Sequence, residues 1–269
     1  MNNITRVLTG IIGFPIVAIF LIFGNEILID IAFAIIAAMS LHEFYKCFKG
    51  KANPVTWVGY VACILIAFIH LIPNAYLIHT IGILIPIFIS ILFIQVILTN
   101  IKTNIKDIAI TILGICYIPL FLAFIPILRG INNGHLLVWY IILSAWGTDV
   151  FAFSVGKMIG KHKFSEISPN KTIEGCIGGI IGAIIINLGY TWIINYFCQT
   201  GVNYLLILGI TIVLSILSQI GDFAASAIKR FVGIKDFSNL IPGHGGMLDR
   251  IDSIIFISPF AFYLIKLFI

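Results

Sequence analysis

Nine stretches of the chain are almost wholly apolar, separated by short polar connections. They fall at about 7–24, 27–41, 55–73, 76–98, 108–128, 135–156, 175–197, 203–225 and 251–269. Most hold close to 20 residues, enough for a helix to cross a hydrocarbon core of about 30 Å. A helix satisfies its own backbone groups in lipid, as an open strand does not. The pattern therefore predicts an all-α, polytopic integral membrane protein with about nine transmembrane helices. The second stretch is short, and the sixth and eighth each carry an aspartate, Asp149 and Asp222. The first reads as a span rather than a signal peptide. No small-residue cleavage site follows it, and Gly24-Asn25-Glu26 leads straight into the next run.

Composition excludes a soluble alternative. The chain is 60% hydrophobic and only 10% charged, where a soluble domain carries about 25% charged residues. So few charges cannot cover a water-facing surface.

The basic residues then orient the spans. Of 16 Lys and Arg, 14 fall in the set of connections that begins with the N-terminus. The other set holds Arg129 alone, and Lys266 lies inside the last span. The positive-inside rule places the N-terminus in the cytoplasm. The C-terminus ends on the far side, and the segment 229–252 faces the cytosol. This bias accounts for the net charge of +5 without a nucleic-acid partner. The five cysteines are scattered, without metal-ligand or redox spacing, and read as small core residues.

Polar chemistry is uneven along the chain. Seven of eleven acidic residues lie between 149 and 252, with the two longest cytoplasmic connections. We expect one membrane domain over 1–269, with scaffold helices in 1–130 and a catalytic half in 131–269.

Three groupings in that half can carry chemistry. If the eighth span stays helical, Asp222 and Ser226 are i,i+4, and Lys229 and Arg230 lie one turn further along the same face. Ionisable groups at membrane depth are costly and mark sites. In the second, Pro242-Gly243-His244-Gly245-Gly246 precedes Asp249, Arg250 and Asp252. Its glycines allow backbone N–H groups to meet an anion at a helix start. Asp249 and Asp252 are i,i+3, which suits oxygen ligation of a hard cation such as Mg²⁺, or simple complement to the helix dipole. His244 can bond a phosphate or complete the turn. In the third, Ser168-Pro169-Asn170-Lys171-Thr172-Ile173-Glu174-Gly175 leads into span seven, and Lys171 is placed as a phosphate contact. Gly175, Gly178 and Gly179 fit helix–helix contact, where small residues let membrane helices approach. His70 and His79 lie in apolar runs and read as structural.

Cations for several phosphates and carboxylates for a metal match phosphoryl or nucleotidyl transfer, which rests on positioning and charge neutralisation. No P-loop, Rossmann fingerprint or His-Glu-x-x-His motif is present.

The run from Ser226 through Ile228-Lys229-Arg230, Lys235-Asp236, Ser238, Ile241-Pro242, His244-Gly245-Gly246-Met247 and Asp249-Arg250-Ile251-Asp252 resembles the signature of phosphatidate cytidylyltransferases, also called CDP-diacylglycerol synthases. It shows no departure across 27 positions, and the segments around Asp149 and 168–175 resemble that family's second conserved region. The resemblance implies that CTP and phosphatidate give CDP-diacylglycerol and pyrophosphate. It also implies Mg²⁺ dependence, a second cation such as K⁺, and a homodimer of multi-span subunits. By the same resemblance Asp222 and Asp249 are the metal-binding carboxylates, with Ser226, Lys229, Arg230 and Lys171 around the phosphates. Lys235, Asp236, His244, Gly245, Gly246, Arg250 and Asp252 are expected at the substrate site. The expected location is a bacterial cell (inner) membrane, with the site facing the cytoplasm. A CTP-using enzyme acting on a polyprenyl-type lipid is the rival within the class. A transporter or ion channel with Asp149 and Asp222 lining a pathway is the rival outside it, disfavoured because transporters tend to show related halves and here the charge sits almost wholly in the second.

Overall fold

The computed structural model describes residues 20–73, 75–165, 168, 171–240 and 245–268. Their regular structure is helical; Lys163 and Thr172 form an isolated antiparallel bridge. The helices are α1 (Glu26–Cys47), α2 (Thr56–Ile66), α3 (Leu77–Leu98), α4 (Ile105–Ile115), α5 (Phe121–Arg129), α6 (Gly134–Leu137), α7 (Trp139–Ile159), α8 (Ile173–Cys198), α9 (Tyr204–Val232) and α10 (Leu248–Phe268). Seven segments among the described residues are long and apolar enough to span a bilayer. They are α1, α3, α4 run on into α5, α6 run on into α7, α8, α9 and α10. This is a multi-pass, all-α membrane protein.

Eight of the nine apolar stretches coincide with helices, and most of the first lies outside the described residues. The stretch at 55–73 departs furthest from expectation. Its α-helix stops at Ile66 after 11 residues, about 16 Å of rise. A 3₁₀ turn, Ile69–Leu71, follows. There Asp30 of α1 accepts from the His70 backbone N–H at 3.0 Å and faces its Nδ1 at 2.7 Å. His70 is thus structural, as read, with Asp30 as its partner.

The chain divides into two compact units. One comprises Met1–Ile127 with Asp236–Arg250, and the other Leu128–Lys235 with Ile251–Ile269.

In the first unit, Asp107 ties two connections to α4. Its Oδ2 accepts from Asn104 N–H at 2.9 Å in a capping box, and its Oδ1 accepts from Asn53 N–H at 2.6 Å. The α4–α5 span carries Pro119 and Pro126. A proline lacks the N–H that would close the helical turn, and Cys116–Leu120 widens into a π-helix there. Helix α3 is apolar on all sides, and only 11% of its most apolar window is buried. Exposed Ile83, Ile94 and Ile97 would be an aggregation surface in water; in a bilayer they face solvent of their own kind.

In the second unit, α7 and α8 meet along a glycine seam. A Cβ on Gly178 would stand 2.6 Å from Val155 Cβ, so only glycine lets the helices approach this closely. Hydroxyl and amide pairs reinforce the contact. Asn187 Nδ2 donates to Ser144 Oγ at 2.9 Å, and Thr148 Oγ1 meets Ser215 Oγ of α9 at 2.6 Å. Helix α9 runs seven residues past its apolar stretch, to Val232, and ends where Gly233 turns to φ +85°.

Candidate active site

The second unit presents its chemistry from one helix and one hairpin. Between α7 and α8 the chain doubles back. Phe164 N–H donates to Lys171 C=O at 2.9 Å, and Ile173 N–H donates to His162 C=O at 2.9 Å. Glu174 fixes the hairpin through His162, whose Nδ1 lies 2.6 Å from its Oε1. Thr172 caps α8 by accepting from Gly175 N–H at 3.1 Å. Lys171 is thereby held beside α9, where its ammonium pairs with the Asp222 carboxylate. The same ammonium lies 4.6 Å from the centre of the Phe223 ring, and Phe164 stacks on that ring at 4.9 Å.

Helix α9 is continuous through Asp222, Ser226, Lys229 and Arg230, so the expected one-face stripe exists. Asp222 and Ser226 are half-buried and Lys229 is buried, whereas Arg230 is exposed and reaches the Ile234 carbonyl at 3.3 Å. Asp252, also buried, sits within electrostatic reach of Asp222, Lys229 and Asp149. Asp149 lies ten residues before the end of α7, deeper than its apolar stretch suggested, and is exposed. Lys235 is exposed at the edge of this unit.

The first unit holds the other half of the signature. Asp249 opens α10 and points its Oδ2 back along the chain. There it accepts from Phe237 N–H at 2.8 Å and Gly246 N–H at 3.0 Å. Gly245, at φ +83°, lies so close that a Cβ would be 3.1 Å from that oxygen. Asp236 and Arg250 flank this turn and are exposed. His244 lies outside the described residues.

One residue of this half was not anticipated from the sequence. Glu43 of α1 is buried, 4% exposed, and its carboxylate takes three donors from the signature segment. Ser238 Oγ–H reaches Oε1 at 2.6 Å, Met247 N–H reaches Oε1 at 3.0 Å, and Leu248 N–H reaches Oε2 at 2.9 Å. In the sequence, Glu43 and Lys46 merely look like an ordinary i,i+3 helix pair. No local signal links Glu43 to a segment 195 residues away.

Among the described residues no three His, Cys, Asp or Glu side chains converge as a metal cage. In the second unit Asp252 lies within electrostatic reach of Asp222, Asp149 and Lys229, and in the first unit Asp249 and Glu43 are answered by backbone N–H donors.

The profile of the Cytidylyltransferase family matches residues 4–268. A phosphatidate cytidylyltransferase of Bacillus subtilis is 32% identical over 270 residues, covering 98% of this chain and 97% of that one. Its counterpart in Staphylococcus aureus is 38% identical over 164 residues, 61% of each chain. That of Staphylococcus epidermidis is 32% identical over 259 residues, 94% of this chain and 95% of the relative. Matched by the profile along nearly its whole length, this chain belongs to the cytidylyltransferase family.

Proposed function

We propose that the protein is a phosphatidate cytidylyltransferase working at the cytoplasmic face of a bacterial inner membrane. A phosphate oxygen of phosphatidate attacks the α-phosphorus of CTP. The bond from that phosphorus to the bridging oxygen breaks, pyrophosphate leaves, and CDP-diacylglycerol remains in the bilayer. The observation that carries this reading is the Lys171–Asp222 pair, where the 168–175 segment meets the helix that carries Asp222 and Ser226. The pair gives each charge a partner that substrate can replace, a phosphate for Lys171 and a hard cation for Asp222.

Charge neutralisation is the main task of the protein in such a transfer. Lys171, Lys229 and Arg230 bind the triphosphate and the lipid phosphate, with Ser226 as a hydroxyl contact on the same helix face. Lys235 and Arg250 add positive charge at the rim. Gly245 and Gly246 give the turn before α10 its close backbone approach, and His244, Asp236 and Asp252 complete the substrate contacts of this reading. Asp222 and Asp249 offer oxygen donors of the kind Mg²⁺ takes, and a second cation such as K⁺ fits the same chemistry. When bound, the ions supply Lewis-acid stabilisation of charge on the reacting oxygens. Counted with nine crossings, 14 of the 16 basic residues lie on one set of connections, which supports the cytoplasmic placement. The family resemblance supports a homodimer, which light scattering in detergent checks.

The deciding experiment supplies purified protein with phosphatidate, Mg²⁺ and CTP labelled at the α-phosphate. Label in the lipid product, with pyrophosphate released, is the expected result. Label passing to lipid only from the γ-phosphate would make the protein a kinase. Activity on a polyprenyl phosphate but not on phosphatidate would reassign the lipid.

A further inference from the structure

Two carboxylates hold the turn between α9 and α10 within the first unit. Asp249 accepts from the N–H groups of Phe237 and Gly246, while Glu43 accepts from Ser238 Oγ–H and the N–H groups of Met247 and Leu248. Both Glu43 oxygens are engaged; Leu248 N–H belongs to the first turn of α10, and Met247 N–H lies just before it. A helix start has N–H groups without intrahelical acceptors and a partial positive charge, so a carboxylate there both satisfies and stabilises it. Ser238 extends the contact by accepting from Leu240 N–H at 3.1 Å. Gly246 is the counterpart of this fit. A Cβ there would stand 2.5 Å from Glu43 Oε2 and 2.8 Å from its Cδ, inside contact distance.

We infer that Glu43 is a positioning residue for the transfer reaction. It fixes the backbone at 246–248, and through it the first turn of α10 from which Asp249 projects. The same inference gives Ser238 and Gly246 specific roles, one as a donor to Glu43 and the other as the space its carboxylate needs. The contribution comes from α1, in the half of the chain otherwise made of membrane helices. The inference rests on the reading of Asp249 as a metal-binding carboxylate. Its structural part, that Glu43 sets the shape of this turn, is tested separately.

Glu43→Gln keeps the size but turns one oxygen into an N–H donor that faces other donors. Outer-shell partners of metal-binding groups are worth about 10- to 100-fold in affinity or activity. The variant should therefore lower kcat by about tenfold or more. It should also raise the Mg²⁺ concentration for half-maximal activity, while KM for phosphatidate changes little. Hydrogen exchange in the peptide covering 236–249 should quicken roughly fivefold or more, as loss of a hydrogen bond requires, with α7 and α8 unchanged. Ser238→Ala removes one donor and leaves the carboxylate, so it should show the same pattern, more weakly. It also serves if Glu43→Gln does not fold. Gly246→Ala should act through the same carboxylate, and its effect should not add to that of Glu43→Gln. Unchanged exchange at 236–249 in both Glu43→Gln and Ser238→Ala overturns the inference. So does fast exchange with wild-type kcat and Mg²⁺ dependence. Wild-type protein without transferase activity would instead overturn the proposed function, and the exchange result would stand by itself.

Discussion

Asp222 and Asp249 are the same side chain in opposite settings. Asp222 sits mid-helix in α9 and is answered by a flexible side chain, the ammonium of Lys171, with both groups about a quarter exposed. Asp249 sits at a helix start and is answered by two backbone N–H groups that cannot swing away. A carboxylate paired with a lysine can exchange its partner when substrate arrives. One bonded to backbone keeps its orientation through turnover. Under the proposed function, the difference answers two demands that charged substrates make: one group yields and the other holds still.

The largest expected effect removes both groups in turn. Asp222→Ala and Asp249→Ala should each lower turnover by at least about a hundredfold, measured as CDP-lipid formed from labelled CTP. They should part company in stability. Asp249→Ala strands two backbone donors and should lower Tm by about 4 °C or more. Asp222→Ala leaves a lysine that water can reach and should leave Tm nearly unchanged. Equal Tm values for the two variants would remove the distinction drawn here.

Next in size is Lys171→Met. It should raise KM for CTP and lower kcat/KM by about 10- to 100-fold, with Lys171→Arg retaining part of the activity. A wild-type kcat/KM in the methionine variant would show that the Asp222 pair is only structural. Smaller again is Gly178→Val, which forces α7 and α8 apart and should cost about 1–3 kcal/mol. Because that seam carries the hairpin bearing Lys171, exchange should quicken at 160–173 and stay unchanged at 236–249. The smallest effect belongs to Gly189→Ala on α8. A Cβ there meets nothing within 4 Å, so activity should hold and Tm stay or rise slightly.

The sequence reveals the membrane helices well because lipid imposes a composition, and eight apolar stretches match helices. It misplaces helix ends for the same reason. Hydropathy counts apolar side chains and does not see where hydrogen bonding stops. So 55–73 looks like one unbroken helix although the α-helix ends at Ile66, and α9 looks short because its last turns carry Lys229 and Arg230. Within the site, the stripe on α9 is legible because helical spacing alone puts Asp222 and Ser226 on one face. The pairing of Lys171 with Asp222 depends on a hairpin and a helix meeting across 51 positions. Glu43 is less legible still, because its partners lie in another part of the chain and its own neighbourhood is that of an ordinary helix end.

The reach of Glu43 also sets an order of events during synthesis. Its hydroxyl partner Ser238 follows 195 residues later. At ribosomal rates of about 5–20 residues per second, roughly 10–40 s separate the two. Until then the acid must remain hydrated or borrow a temporary donor. The start of α10 is completed late, on a platform already threaded into the bilayer. A nascent chain stalled before Ser238 would hold most of its membrane helices and still lack the turn that aims Asp249.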